Sequence, residues 1–265
     1  MNPQSAPLTL VKIGGNVIDD APETARFLAT FAALPAPKLL VHGGGKMATT
    51  LASKLGLPTR MVNGRRLTDQ PTLEVAVMVY AGLVNKTLVA ALQARQCDAL
   101  GLTGADAGCV LARQREVRDV DYGFVGDIER INASRITEWI RQGLVPVFAP
   151  LTCDTHGTLL NTNADTMAAA LSAALAEAFE VTLLYCFEKK GVLADPADDQ
   201  SVIPFLSETD YAQLKGEGTV SQGMIPKLDN AFDALRKGVS KVIVCHARDL
   251  STHSATESFG TLLSL

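Results

Sequence analysis

The chain has 265 residues, 47% hydrophobic and 20% charged, a balance that excludes a disordered protein and suffices for one large or two modest folded domains. A formal net charge of -4 excludes a general nucleic-acid binder, so any anionic ligand must be met by a few placed cations. The longest apolar runs, such as "VPVFAPL" and "VTLLYC", fall far short of the roughly 20 residues of a membrane span, and "MNPQSAPLTL" lacks the charged and apolar regions of a signal peptide.

The first expected strand, "LTLVKI" (8–13), carries Lys12 inside an apolar run and is followed at once by Gly14 and Gly15. In a strand covered on both faces an unpaired lysine costs several kcal/mol, and the carboxyl ends of such strands are where open α/β sheets bind ligands. A helix is expected over 21–34, then a second strand, "KLLVH" (38–42), opening into "GGGK". Three glycine motifs compete for that loop. A Walker A loop fails, because Leu40 stands at its first glycine and Met47 at its hydroxyl position. A dinucleotide fingerprint fits as Gly43, Gly45 and Ala48, and the lipase oxyanion motif fits as His42 to Gly45. The dinucleotide reading lacks the acidic residue after the next strand, and the lipase reading lacks a G-x-S-x-G elbow. Two glycine turns at one sheet edge instead suggest backbone N–H groups lining a single anion site. On this view Lys46 is a surface residue at a helix start and His42 is structural.

Farther along, helices are expected over 46–55, 71–95, 134–142, 164–178 and 224–237, and strands over 98–103, 144–151, 181–187 and 241–246. Continuous apolar strands alternating with helices predict an α/β protein: a three-layer sandwich with an open, mostly parallel sheet covered on both faces. The segments 57–69 and 108–132 read as inserted β-hairpins, and 195–210, polar and interrupted by prolines, as a loop. A soft boundary near 179 divides a larger N-terminal lobe, 1–178, from a smaller C-terminal one, 179–265. Cys97, Cys109, Cys153, Cys186 and Cys245 form no C-x-x-C and read as reduced, buried thiols of a cytoplasmic protein.

Three further stretches carry candidate chemistry. "MVNGRRLTD" presents Arg65 and Arg66 after an Asn-Gly turn, one expected outward and the other toward the cleft, where a guanidinium suits a carboxylate. "LLNTNADTMAAAL" sets Asn163 as the N-cap of a buried helix and Asp165 in its first turn, leaving the Asn161 amide for a ligand. "GMIPKL" places Lys227 in the first turn of a helix after Pro226, where an anion held between the helix start and the lysine offsets an unfavourable dipole contact.

In this order, "VKIGGN", "VHGGGK", "VNGRRLT", "AGLVNKTLVAAL", "LNTNAD" and "GMIPKL" resemble the acetylglutamate kinases of the amino acid kinase family, over nearly the whole chain. The resemblance implies the amino acid kinase fold and transfer of the ATP γ-phosphoryl group to the side-chain carboxylate of an N-acylated glutamate, the second step of arginine synthesis by the acylated route. It implies that Lys12 and Lys227 stabilise the transferring group and that Asp165 positions them. Gly44, Gly45, Arg66 and Asn161 are expected to bind the acylamino acid, and Gly14, Gly15, Lys190 and Gly191 the nucleotide. Mg2+ is expected to arrive on the nucleotide phosphates, with no metal held by protein ligands alone. The N-terminal lobe is expected to bind acylglutamate and to dimerise, and the C-terminal lobe to bind ATP. The few residues before the first strand leave out the N-terminal helix of arginine-inhibited hexameric members, which implies a homodimer without that feedback.

One departure stands out: where many members carry a "D-V-x-G" turn, this chain reads "YCFEKKGVLAD" (185–195). Differences in "YGFVGDIERIN" bear on the acyl group, so an N-succinylglutamate kinase is an alternative. Aspartate or carbamate kinase types are disfavoured by "NGRRLT" with "LNTNAD". A non-catalytic amino-acid sensor on the same fold is disfavoured by the retention of both lysines.

Overall fold

A computed structural model describes residues 6–62, 64–195, 197–220, 223–254 and 259–265. In chain order the elements are β1 (Pro7–Ile13), α1 (Gly15–Asp19), α2 (Ala21–Ala33), β2 (Lys38–His42), α3 (Gly45–Lys54), β3 (Met61–Val62), β4 (Arg65–Arg66), α4 (Gln70–Ala76), a π-helical stretch (Val77–Val84), α5 (Asn85–Gln93) and β5 (Ala99–Leu102). The chain continues through β6 (Val110–Gln114), β7 (Gly126–Ile131), α6 (Ala133–Arg141), β8 (Val145–Phe148), β9 (Leu151–Cys153), β10 (Leu159–Asn161) and α7 (Ala164–Leu175). It ends with β11 (Glu180–Phe187), β12 (Phe205–Ser207), α8 (Glu208–Gly216), α9 (Ile225–Arg236), β13 (Lys241–His246) and β14 (Thr261–Ser264).

An eight-stranded sheet runs in the order β12-β14-β13-β11-β1-β2-β8-β5, and its six expected strands are all parallel to one another. β14 pairs antiparallel to β13 and parallel to the edge strand β12, so these last two strands run against the other six. Side-chain alternation along the strands explains the two cores. Leu8 and Leu10 of β1, Leu39 and Val41 of β2, and Val181, Leu183, Tyr185 and Phe187 of β11 face one cluster, which also takes Ile136 of α6, Leu171 of α7 and Phe232 of α9. Their neighbours Val11, Ile13, Leu40, Leu184 and Cys186 face the other, with Phe27 and Phe31 of α2, Ala48 of α3 and Leu88 of α5. This is the expected three-layer sandwich. Lys12 shares the parity of Leu8 and Leu10, so it points to the layer that contains α7 and α9. That parity sets up the site.

Both insertions are hairpins: β3 pairs with β4, and β6 pairs with β7 across a register shift at Leu111/Ala112. Other expectations are corrected. "LVPVFAPL" is two strands, because β8 ends at Phe148 and Leu151 already belongs to β9, a strand of a separate four-stranded sheet. The segment 195–210 is not all loop: Leu206 is buried on the edge strand β12, and α8 follows, capped by Ser207 accepting from the Asp210 N–H at 3.0 Å. The expected helix 71–95 is one rod with π-helical turns at its centre. Gln70–Gln93 is long and apolar enough by composition to cross a membrane, yet Val79, Val84, Leu88 and Leu92 bury one face in the core while Met78 and Leu83 are exposed.

Candidate active site

The carboxyl ends of β1 and β2 open onto a cleft of about 210 Å³. Its floor is made of the two glycine turns, Gly14-Gly15 and Gly43 to Gly45, stitched together by the Gly43 N–H donating to the Ile13 carbonyl at 3.1 Å. Gly44 has a φ of 153°, and a Cβ there would meet the Tyr80 ring at 3.0 Å. Only glycine suits that position. Tyr80 belongs to the π-helical stretch, a geometry enriched at functional sites, and it walls the cleft.

Lys12 is 5% exposed, and its Nζ lies 2.5 Å from Oδ1 of Asp165. The α7 start presents that carboxylate because Asn163 caps the helix, its side chain accepting from the Thr166 N–H at 3.0 Å. From beneath, the Tyr185 hydroxyl donates to the Asp165 main-chain carbonyl at 2.9 Å. Lys227, half-buried, enters from the first turn of α9 behind Pro226. Burial pulls its pKa below the usual lysine value, partly opposed by the negative charge of Asp165 and reinforced by the positive charge of Lys12. Lys227 lines a second cavity of about 450 Å³ with Pro226 and Asn230, and Gly64, Arg65, Asn163 and Asp165 border both cavities. The two are thus contiguous around Asp165.

At the other end of the cleft, Arg66 is 8% exposed. Its guanidinium donates to the Gly45 carbonyl at 2.9 Å and to the Thr49 and Thr59 hydroxyls at 2.8 and 3.3 Å, fixing it beside the glycine floor. Arg65 does not simply turn outward as expected. It is half-buried and also borders the cleft, with its pKa lowered by burial and by the nearby Arg115. Asn161 lines the cleft at the end of β10, its amide donating to the Thr68 hydroxyl at 3.0 Å.

Lys12, Gly14, Gly15, Gly44, Gly45, Arg66, Asn161 and Asp165 therefore meet in one cleft, and Lys227 reaches its mouth. Lys190 and Gly191 lie elsewhere. Gly191 lines a small cavity of about 80 Å³ with Lys189, Val192, Leu193, Thr219, Val220 and Met224, while Lys190 is exposed and donates to Gln200 at 3.3 Å. Lys46 is exposed on α3. His42 is fully buried, with Nδ1 at 2.7 Å from the Gly43 carbonyl and Nε2 at 3.1 Å from the Asn85 amide; burial pushes its pKa down to about 4. Sequence reasoning did not single out Met61, Tyr80, Val125 and Pro150 of the lining; Met61 and Val125 lie in the quoted hairpin stretches, and Tyr80 has no signal of its own.

The family model described as "Amino acid kinase family" matches residues 7–246. An acetylglutamate kinase of Phocaeicola vulgatus is 52% identical over 249 residues, 94% of this chain and 97% of that protein. Another, of Methanopyrus kandleri, is 39% identical over 92% of this chain and 96% of that protein. Among solved structures, an N-acetylglutamate synthase from Neisseria gonorrhoeae, complexed with coenzyme A and N-acetyl-glutamate, superposes with a TM-score of 0.82 at 20% identity, over 99% of this chain and 60% of that one. A carbamate kinase from Giardia lamblia bound to AMP-PNP gives 0.69 at 12% identity, over 99% of both chains, and these two likenesses speak to the fold alone. The chain belongs to the amino acid kinase family.

Proposed function

We propose that this chain is an ATP-dependent carboxyl kinase that phosphorylates the side-chain carboxylate of N-acetyl-L-glutamate, the second step of arginine biosynthesis. Acetylglutamate kinases at about half identity over most of the chain support the activity. The observation that carries the site is the convergence of Lys12, Asp165 and Lys227, from one strand and two helix starts, on a cleft that continues to Arg66.

The chemistry asks for little more. A carboxylate nucleophile with an ordinary pKa near 4.3 is already ionised at neutral pH, so no general base is needed. His42 is unsuited to that task, being buried with both ring nitrogens engaged. Phosphoryl transfer depends on positioning and on stabilising charge at the equatorial oxygens. Lys12 and Lys227 supply two cations for those oxygens, and Asp165 sets the Lys12 ammonium. The backbone N–H groups of Gly14, Gly15, Gly44 and Gly45 face the phosphates and the substrate, and Arg66 with Asn161 holds the carboxylate and amide of the amino acid. In this reading Mg2+ comes as a companion of the nucleotide phosphates, which suits an ion that binds through substrate phosphates and one or two carboxylates.

Residues 179–265 form the nucleotide lobe in this reading, with Lys190 and Gly191 on the approach of ATP. Residues 1–178 hold the acylglutamate and the dimer contact, for which the exposed Met78 and Leu83 are suited. The proposal includes a homodimer and a cytoplasmic location. The test is a hydroxamate assay with ATP and Mg2+ offered either N-acetyl- or N-succinyl-L-glutamate. Turnover with a preference for the acetyl substrate is expected; no turnover with either defeats the reading, and a succinyl preference overturns its acetyl part.

A further inference from the structure

The departure at 185–195 places an aromatic residue, Phe187, at the carboxyl end of β11, on the same sheet face as Lys12. The ring is 6% exposed, with the Lys227 ammonium 3.8 Å and the Lys12 ammonium 4.9 Å from its centroid. Both lysines are thus within cation–π range of one ring. Behind it, Tyr185 stacks at 6.0 Å with an interplanar angle of 7°, and its hydroxyl is anchored to the Asp165 main-chain carbonyl at 2.9 Å.

From this geometry we infer that Phe187 is a positioning residue for phosphoryl transfer: its π face holds the two lysine ammonium groups together at the cleft before any phosphate arrives. The inference rests on the kinase reading given above. Two like charges converging on one point repel; Asp165 pairs with Lys12 and also attracts Lys227, as does Glu188, and the ring adds to these an attraction shared by both ammonium groups. The negative face of an aromatic ring attracts both without taking a proton or competing with phosphate as a formal anion would. An aliphatic residue at 187 fills the space and offers no such attraction. Tyr185 fixes the ring from below and ties it to the backbone of the residue that pairs with Lys12. A β-strand end thus aligns cations contributed by β1 and α9.

The kinetic test compares the wild type with Phe187→Leu and Phe187→Tyr. Expected for Phe187→Leu is a fall in kcat of about tenfold, equivalent to about 1.4 kcal/mol, with little change in the KM for N-acetyl-L-glutamate and an unchanged melting temperature to within a few degrees. Phe187→Tyr, which keeps the π face, restores most of kcat. A kcat for Phe187→Leu equal to wild type, or a loss that Phe187→Tyr does not recover, overturns the inference. A second readout is independent of turnover: NMR of the 13C-dimethylated protein, with signals assigned through Lys12→Arg and Lys227→Arg. The Lys227 signal is expected upfield by ring current in the wild type and shifted back in Phe187→Leu; identical positions in both overturn the placement. Absence of turnover in the wild type defeats the kinase reading, and the NMR comparison still decides whether the ring holds the lysines.

Discussion

Replacing Asp165 with Asn keeps the shape of the α7 start and removes one negative charge from between two cations. The Lys12–Asp165 contact is 2.5 Å, with side chains only 6% and 12% exposed. At an effective dielectric of 20 the gross attraction is roughly 7 kcal/mol, and desolvation of the two ions cancels much of it. What remains when one partner of such a pair is deleted is typically about 3–5 kcal/mol, because Lys12 is left buried and uncompensated. Taking about 3 kcal/mol, the melting temperature of a chain of this size falls by roughly 6–12 °C. The variant also has a prediction of opposite sign. An anion entering the cleft replaces the lost charge, so ATP is expected to raise the melting temperature of Asp165→Asn by more than it raises that of the wild type. Differential scanning fluorimetry with and without ATP, beside initial rates, measures all three quantities. An Asp165→Asn protein that melts with the wild type and turns over at the same rate would refute the assignment of Asp165 as the group that sets Lys12.

Two other outcomes follow from the glycine floor and its support. Gly44→Ala combines a positive φ with a Cβ 3.0 Å from the Tyr80 ring, itself 5% exposed, so a loss of about 2–4 kcal/mol is expected in urea unfolding, together with a raised KM for the acylamino acid. Full stability and an unchanged KM would show that the loop tolerates a side chain there. His42, with a folded pKa of about 4 against 6.5 for the free side chain, takes up its proton more readily in the unfolded chain. Its contribution is complete above pH 6.5 and is lost as pH falls toward 4, up to about 3 kcal/mol. Urea unfolding at pH 7.5 and 5.0 is expected to give a smaller pH dependence for His42→Gln than for the wild type; equal dependence would assign the acid sensitivity to other groups.

Much of this architecture is legible in the sequence, because its central strands are buried on both faces and read as unbroken apolar runs bounded by helices. "LTLVKI", "KLLVH", "VTLLYCF" and "KVIVCH" mark their strands to within a residue. The edges are less legible. β12 and β14 are short, and β14 gains its place by pairing with β13 and with β12, the latter a segment distant in sequence. The α8 start had a local signal that polarity obscured: "SETD" places Ser207 three residues before Asp210, the spacing of a helix cap. In the site, residues with an obvious cost were readable. A lysine inside a buried strand needs a partner, and an acid in a helix's first turn can supply one. Strand parity even fixes the face to which Lys12 turns. The π-helical stretch that brings Tyr80 against Gly44, and the placement of Phe187 within reach of two lysines from different elements, depend on tertiary packing and leave no spacing in the sequence to find them by.

The most direct measurement of the account is the steady-state rate of Lys227→Ala in the hydroxamate assay with ATP, Mg2+ and N-acetyl-L-glutamate. Loss of one cation that stabilises the transferring phosphoryl group predicts a kcat lowered by about 10²–10³, with the fold and the KM for the acylamino acid nearly unchanged. A kcat equal to wild type would remove Lys227 from the site and contradict the account.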